Sequence, residues 1–299
     1  MAEEFSRDGC EVSLFNERPE DRSELINRIE DAEVLVESNL PLSAEILSQA
    51  SELELISVAF TGVDHIDMDY CQQNNITVCN SSGYANQSVA ELVIGLSINI
   101  LRSICRLNTI TQEGGKLQNP GQELKGKTVG IIGVGEIGRQ VAEITKAFGC
   151  NLLGYDAHED EKVKQLGLDY VNLDTLLKES DIVTIHLPLI ESTKNLLGKE
   201  KLRLMKDSSI LINAARGGIV DYDALSEEIK KENLGGAGID VYNSEPPIAD
   251  DHPLFDLPNV ITTPHIGYAT KESFQRRARI VFENIEKWDQ GRPQNVIKY

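Results

Sequence analysis

The chain has 299 residues, 40% of them hydrophobic, and a formal net charge of −19 at pH 7. This length allows two domains with separate cores, and the excess of acidic residues argues against binding to nucleic acid or anionic lipid. The chain contains no uncharged apolar run of about 18 residues that could span a membrane, and it opens with no basic, apolar leader. We therefore expect a cytoplasmic protein.

Cysteine usage also indicates a reducing compartment. The five cysteines are an odd number, lie far apart in the sequence and include no Cys-x-x-Cys pair. This pattern favours free thiols and disfavours both a disulfide framework and a zinc site, so we expect no bound metal.

Short apolar, β-branched runs alternate with helical patterns along most of the chain. In the first third, the runs predicted as strands are EVSLF, AEVLVE, LELISVAF and ITVCN. The preceding residues, MAEEFSRDG, are typical of a helix end capped by Gly9, where a parallel sheet normally has a strand. Either that strand is absent, or the chain begins downstream of the start of related chains.

The alternation is stronger from Lys127 onward. The predicted strands there are TVGIIGV, NLLGYD, DIVTIHL, SILINAA, GAGIDV and NVITT. Such alternation implies an α/β protein with parallel sheets covered by helices on both faces. The segment Glu113–Lys127, rich in Gly, Pro and amide side chains, is the expected break between domains. The terminal helical pattern SFQRRARIVFENIEKW has no strand after it, so we expect it to pack on the first domain.

A glycine-rich turn follows the first strand of this second series and opens an amphipathic helix. In that context the first glycine makes the turn and the second lets a pyrophosphate approach the backbone. The third allows close helix packing, and the positive helix N-terminus favours phosphate. The turn therefore predicts dinucleotide binding by Gly133, Gly135, Glu136, Ile137 and Gly138.

The strand NLLGYD ends in Asp156, 18 positions after Gly138. A carboxylate at this distance is typical of the residue that accepts hydrogen bonds from the adenosine ribose hydroxyls. It would repel the additional phosphate of NADP, and the next residues, AHEDE, include no arginine to hold that phosphate. We therefore predict NAD as the cofactor.

Other strand ends in this half of the chain carry chemically active residues. Arg216 follows SILINAA, Asp240 ends GAGID with Glu245 shortly after it, and His265 follows NVITTP. In open parallel sheets, ligands bind at the carboxyl ends of strands, which is also the edge of the glycine turn. Alone, each residue is as readily explained by a helix cap, a solvated loop or a turn.

Together, Arg216, Glu245 and His265 are a complete set for 2-keto acid reduction. Arg216 could bind the substrate carboxylate with its planar fork. His265 could protonate the oxygen that becomes an alkoxide as hydride arrives, and Glu245 could stabilise the imidazolium.

The chain resembles the D-isomer-specific 2-hydroxyacid dehydrogenase family from about Gly9 to Trp288. The motifs that carry the resemblance are TGVDHIDM, SVAELVIG, GKTVGIIGVGEIGR, HLPLIESTKNLL, MKDSSILINAARGGIVD, GAGIDVYNSEPP and TPHIGYATKES. The resemblance implies that Arg216, Glu245 and His265 are catalytic. It also implies that Phe60, Thr61 and Gly62 bind substrate together with Arg216.

The resemblance extends the predicted cofactor site. It implies that Asp240 and the backbone around Ala214 hold the nicotinamide carboxamide. It further implies that Pro188 lines the adenine side and that Thr193, in the same segment, belongs to the cofactor site.

The resemblance also implies a fold of two doubly wound parallel-sheet domains. A Rossmann NAD-binding domain, residues 99–269, is expected to be inserted in a flavodoxin-like substrate domain of residues 1–98 and 270–299. Family members are usually dimers joined through the cofactor domain, so a homodimer is expected.

Within the family, TPHIGYATKES and the FTG of AFTGVDHID favour the glycerate dehydrogenase (hydroxypyruvate reductase) branch. That branch more often has Trp at the position of Tyr268. The formate dehydrogenase branch is disfavoured because it has Gln at the position of Glu245. A phosphoglycerate dehydrogenase with a regulatory tail is disfavoured because Tyr299 follows soon after the last helix.

Two alternatives remain at this point. The chain could reduce a longer 2-keto acid. Phe60 stands in the substrate loop where many relatives have a small residue, so the resemblance does not fix the exact substrate. It could also be a non-enzymatic, NAD-sensing corepressor, since such proteins can keep the same catalytic residues. They tend to carry extended tails and peptide-docking surfaces, which this chain lacks.

Overall fold

A computed structural model describes residues 10–116, 120–244 and 248–298. The chain divides into two compact units. Unit 1 comprises the residues up to Tyr84 and those from Lys271 onward, and unit 2 comprises Ala85–Thr270. Unit 2 is thus an insertion in the sequence of unit 1.

Unit 1 contains a parallel sheet with strand order β1-β2-β3. Helices alternate with these strands and bury apolar side chains against them, as expected for a parallel sheet. In chain order the elements are α1 (Arg22–Ile29), β1 (Val34–Glu37), α2 (Ala44–Leu47), β2 (Leu55–Val58), α3 (Met68–Gln73) and β3 (Thr77–Cys79).

The prediction of a strand at EVSLF is wrong. Residues 11–15 are described, and they form neither helix nor strand. Leu14 is 70% exposed and Phe15 54% exposed, so neither side chain is covered by the sheet. Alternation of apolar residues cannot reveal whether a partner strand exists. The predicted helix end at Gly9 lies outside the described residues.

The terminal helix α11 (Lys271–Asp289) packs on unit 1, as the sequence led us to expect. Its Val281 and Asn284 are buried. The Ser57 hydroxyl of β2 donates to the Val281 carbonyl at 3.3 Å, and the Asn284 amide donates to the Asn80 carbonyl at 2.9 Å. These buried polar contacts fix the position of the helix along the sheet.

Unit 2 contains a parallel sheet with strand order β10-β9-β8-β7-β4-β5-β6. Its strands are β4 (Thr128–Ile132), β5 (Asn151–Tyr155), β6 (Leu168–Tyr170), β7 (Ile182–Ile185), β8 (Ile210–Asn213), β9 (Gly236–Ile239) and β10 (Val260–Thr262). Its helices are α4 (Asn86–Arg102), α5 (Ile104–Gln112), α6 (Glu136–Ala147), α7 (Glu161–Gln165), α8 (Leu173–Glu179), α9 (Lys199–Leu202) and α10 (Tyr222–Lys230). The edge strand β6 was not predicted.

The first division of the chain lies at Tyr84, not at residue 98 as we expected. Helix α4 runs through residue 98 without a break. Its apolar side chains, such as Val93 and Leu96, are buried in one cluster with Val129 of β4 and Ile212 of β8. The whole helix therefore belongs to unit 2. The glycine-rich segment Glu113–Lys127, which we interpreted as the break, lies inside unit 2.

Within the described part of the chain, no single helix is long and apolar enough to cross a membrane, although the bent pair α4–α5 meets the criteria of length and composition. The same residues contain no group of three or more His, Cys, Asp or Glu side chains that could hold a metal ion. The five cysteines are free thiols, three of them buried.

Candidate functional site

Because the strands of unit 2 are all parallel, their carboxyl ends meet at one edge of the sheet. Strand β4 pairs with β5 on one side and with β7 on the other, so the chain reverses its direction across the sheet at β4. Such a switch point opens a crevice in which ligands bind. The glycine turn, Asp156, Arg216, Asp240 and His265 all follow strands at this edge.

The glycine turn has the geometry that a pyrophosphate requires. Gly133 has φ +93°, and a Cβ there would lie 2.7 Å from the His186 carbonyl oxygen. A Cβ on Gly138 would lie 2.1 Å from the Gly133 carbonyl oxygen, so α6 packs tightly on the turn. By contrast, a Cβ on Gly135, the N-cap of α6, would meet no atom within 4 Å. The open glycine at the helix N-terminus leaves room for a phosphate.

Glu136 and Ile137 form the first turn of α6, immediately after this open glycine. Asp156 ties the turn to the end of β5. One carboxylate oxygen accepts from the Val134 N–H at 2.7 Å, and the other accepts from the His158 N–H at 3.0 Å. The half-buried carboxylate keeps further acceptor capacity for ribose hydroxyls. The residues present therefore fit a dinucleotide.

Thr193 shapes the loop after β7, where Pro188 lies exposed. Its hydroxyl lies 2.6 Å from the Pro188 carbonyl oxygen and accepts from the Ile190 N–H at 2.9 Å. The hydroxyl is thus used within the loop, and the structure explains Thr193 as support for Pro188.

Asn213, which our sequence analysis did not single out, orients Arg216. It is fully buried at the end of β8, and its amide donates to the Arg216 carbonyl at 3.0 Å. Its side-chain oxygen accepts from the Ala215 N–H at 3.1 Å. The backbone after Ala214 is thereby fixed, while the Arg216 side chain stays exposed. The only sign of this role in the sequence was a polar residue inside a predicted apolar strand.

His265 occupies a backbone conformation that is unusual for a side chain other than glycine. Its φ is 52°, in the left-handed region, which costs on the order of 1–3 kcal/mol unless the surroundings enforce it. Its N–H donates to the Thr263 carbonyl at 3.0 Å. The half-buried ring makes an edge contact with Tyr268, with centroids 5.7 Å apart.

Hydrogen bonds to Asp240 hold His265 in this conformation. Its carboxylate, only 1% exposed as a residue, accepts from the Thr263 hydroxyl at 2.5 Å, from the Ile266 N–H at 2.8 Å and from the Gly267 N–H at 2.8 Å. Burial raises the pKa of Asp240, and the hydrogen bonds together with positive charge on His265 act in the opposite direction. Asp240 therefore hydrogen-bonds the loop on both sides of His265. Its contact with nicotinamide stays a prediction.

Arg216 and His265 follow β8 and β10, the two strands that flank β9. At a strand spacing of about 4.8 Å, their strands are roughly 10 Å apart, which leaves room for a small molecule between the side chains. Glu245, the third predicted catalytic residue, lies outside the described residues.

His186 is a histidine that our sequence analysis did not select. It follows β7 beside the glycine turn, and its Nε2 lies 2.9 Å from the Thr184 hydroxyl. Its Nδ1 is buried and has no hydrogen-bond partner among the described residues. Burial lowers the pKa of His186 from 6.5 to about 3, so the ring is neutral at pH 7.

Comparison with known proteins identifies one family, through a family model and through individual relatives. Residues 94–267 match the model of the NAD-binding domain of D-isomer specific 2-hydroxyacid dehydrogenases. A glycerate dehydrogenase of Methylorubrum extorquens is 39% identical over 92% of this chain and 88% of its own length. A hydroxypyruvate reductase of Thermotoga maritima is 41% identical over 93% of this chain and 90% of its own length.

Among solved structures, D-lactate dehydrogenase from Aquifex aeolicus, complexed with NAD and lactic acid, is similar in fold. It has a TM-score of 0.80 and 34% identity, over 89% of this chain and 85% of that one. The predicted fold class, two doubly wound α/β units with a Rossmann cofactor unit, is confirmed.

The contacts of Asp240 predict how the loop responds to Asp240→Asn. The amide cannot accept all three hydrogen bonds, and leaving a buried N–H unsatisfied costs about 1–3 kcal/mol. We expect faster hydrogen exchange at the amides of Ile266 and Gly267, measured by NMR or mass spectrometry. The exposed-carboxylate control Asp207→Asn should leave both amides unchanged. Equal exchange in all three proteins would contradict the assigned contacts.

The neutral state of His186 predicts a pH dependence of stability. The unfolded chain takes up a proton below pH 6.5, whereas the folded state does so only near pH 3, so stability is lost as pH falls through this window. His186→Gln should reduce the loss by up to about 1.4 kcal/mol per pH unit, measured by urea unfolding at pH 7 and pH 5. The exposed control His158→Gln should retain the wild-type loss. Identical losses in wild type and His186→Gln would refute this role.

Proposed function

Because this chain belongs to the D-isomer specific 2-hydroxyacid dehydrogenase family, near its glycerate dehydrogenase branch, we propose that it transfers hydride between NADH and hydroxypyruvate or glyoxylate. It is an NAD-dependent oxidoreductase. The observation that carries the choice of a small 2-keto acid is the placement of Arg216 and His265 on either side of β9, at the edge that also carries the glycine turn.

The cofactor is held by the turn from Gly133 to Gly138, by the N-terminus of α6 and by Asp156. When bound, NADH supplies the hydride that reduces the substrate, and NAD accepts it in the reverse reaction. Pro188, Ala214 and Asp240 are proposed to complete the site around the adenine and nicotinamide ends.

Arg216 binds the substrate carboxylate. Its guanidinium is exposed and its backbone is fixed by Asn213, so the planar fork can meet a carboxylate with two parallel hydrogen bonds. The same charge polarises the adjacent keto group. This accounts for anionic substrate binding by a protein whose net charge is −19.

His265 donates a proton to the carbonyl oxygen during reduction and takes it back during oxidation. The hydrogen bonds that Asp240 accepts from Thr263, Ile266 and Gly267 hold the loop that carries His265, so that the imidazole keeps its position in both directions of the reaction. Glu245 is proposed to stabilise the imidazolium form.

Phe60, Thr61 and Gly62 are proposed to contact the substrate. Two hydrogen bonds hold the backbone of this loop: the Ser81 N–H donates to the Phe60 carbonyl at 3.0 Å, and the side-chain amide of Asn80 donates to the Thr61 carbonyl at 2.8 Å. A pinned loop loses little entropy when a substrate binds.

A homodimer joined through unit 2 is the proposed assembly, and the cytoplasm the proposed location. Helix α5 supports the dimer, because none of its residues is buried and Ile104 is 51% exposed. Analytical ultracentrifugation tests this assembly.

The alternative function, an NAD-sensing corepressor, would bind NADH but turn over none of a panel of 2-keto acids.

His265→Ala should lower kcat for hydroxypyruvate reduction by about 10² to 10⁴, the usual contribution of a positioned proton donor. NADH binding, followed by fluorescence, should change little because the glycine turn is untouched. Unchanged kcat in a folded variant would remove His265 from the mechanism.

Wild-type enzyme should prefer NADH to NADPH, because the Asp156 carboxylate repels the 2′-phosphate. Asp156→Asn removes the charge while keeping an acceptor for the Val134 N–H. The NADH/NADPH ratio of kcat/KM should fall by about tenfold or more, since like charges about 4 Å apart at a protein surface repel by several kcal/mol. Comparable efficiency of wild type with both cofactors would show that Asp156 does not discriminate.

A further inference from the structure

Unit 1 contains a buried glutamate–histidine pair that the proposed reaction does not use. The Glu37 side chain, at the end of β1, is 1% exposed, and its Oε1 lies 2.6 Å from Nε2 of His65. A carboxylate can only accept, so the imidazole N–H donates in this contact. The other carboxylate oxygen accepts from the Leu40 N–H at 2.8 Å. Each oxygen of the buried carboxylate therefore has a partner.

The pair holds the loop that follows β2 and carries the proposed substrate contacts. Residues 59–65, which we call the substrate loop, form neither helix nor strand. The loop begins at Ala59, whose N–H donates to the Glu37 carbonyl at 2.7 Å, and it ends at His65, which contacts the Glu37 side chain. One residue at the end of β1 thus holds both ends of the segment that contains the three residues proposed to contact substrate.

Backbone contacts join the substrate loop to the loop that follows β1. The Leu42 N–H donates to the His65 carbonyl at 2.8 Å, and the Asp67 N–H donates to the Leu42 carbonyl at 2.9 Å. Both loops follow the carboxyl ends of paired parallel strands. Ligands bind at this edge of an open parallel sheet, so the pair lies where unit 1 is expected to meet a ligand.

Stability alone does not explain why a charge is buried here. Removal of a carboxylate from water is costly, and replacement of a buried ion pair by apolar residues of similar volume is often neutral or stabilising. Apolar side chains at the two positions could extend the core of unit 1, which includes the neighbouring Leu42 and Ile66. They could not supply a directional hydrogen bond that fixes where the substrate loop lies.

We propose that Glu37 and His65 are positioning residues, and that their contact lowers KM for the 2-keto acid by holding the substrate loop in its binding conformation. The inference rests on the proposed function and deepens it by adding residues that act through the proposed substrate contacts. A loop that is ordered before binding loses less conformational entropy when the substrate arrives.

The central test replaces both residues by apolar side chains of similar volume, Glu37→Met with His65→Leu. The melting temperature should stay close to that of wild type, because no charge is left buried. Amide hydrogen exchange in the substrate loop should become faster. KM for hydroxypyruvate should rise about tenfold or more, the cost of ordering one or two residues during binding. Neither kcat nor NADH binding should change by more than about twofold, since only substrate binding is weakened.

Single variants separate the contact from a general effect on folding. His65→Gln keeps a side-chain N–H donor, so it should retain a KM close to that of wild type. His65→Leu leaves the buried carboxylate with one partner fewer, so it should raise KM and lower the melting temperature together. The matched control, Glu24→Met with Arg28→Leu, removes an ion pair within α1 and should leave KM and loop exchange unchanged.

Wild-type KM and wild-type loop exchange in the double apolar variant would overturn the proposal. A lowered melting temperature with faster exchange throughout unit 1 would also overturn it, because the pair would then only support the fold. Failure of the proposed function is distinct from these outcomes. In that case wild type would oxidise NADH with no 2-keto acid, while the exchange comparison would still report whether the pair orders the substrate loop.

Discussion

The buried carboxylate of Asp240 is the contact on which the proposed chemistry depends. It accepts three hydrogen bonds from the loop that carries His265, and these contacts offset the left-handed conformation of that residue. A carboxylate removed from water is stable only when its acceptors are used, so the loop and Asp240 stabilise each other. The position of His265 thus follows from the packing of two neighbouring strands.

The register of these strands explains why the contact forms. Thr262 of β10 is paired with Ile239 of β9, so the residues that follow, Thr263 and Asp240, emerge side by side. On the other side of β9, Asn213 ends β8 and fixes the backbone of Arg216. Three adjacent parallel strands therefore place Arg216, the proposed anion-binding residue, and His265, the proposed proton donor, at the same edge of the sheet as the glycine turn.

Much of this architecture could be predicted from sequence. The apolar strands before the glycine turn and before Arg216 have lengths and flanking residues that indicate buried parallel strands, and they lie where the structure has β4 and β8. The strand predicted at EVSLF does not form. A strand needs a neighbouring strand to pair with, and the local sequence does not show whether one is present. Strand β6 was not predicted from the sequence, because only one of its three residues is buried and it therefore lacks an apolar run.

The supporting residues were harder to predict than the reactive ones. Arg216 and His265 stand out because their chemistry is unusual at strand ends. Asp240 acts through contacts with Thr263, Ile266 and Gly267, which are distant in sequence and which only the register of the sheet brings together. Asn213 contacts its near neighbours Ala215 and Arg216, but a buried asparagine does not reveal from sequence which groups its amide bonds. The first domain boundary was misplaced for a similar reason, since the apolar face of α4 does not indicate which sheet it covers.

The most direct test of the account uses NADH with deuterium at both C4 positions to reduce hydroxypyruvate and follows the label into the product. Wild-type protein should form D-glycerate that carries one deuterium at C2, with one NADH consumed per product. Formation of L-glycerate, product without deuterium, or no product from any 2-keto acid would contradict the assignment of this chain's site to hydride transfer.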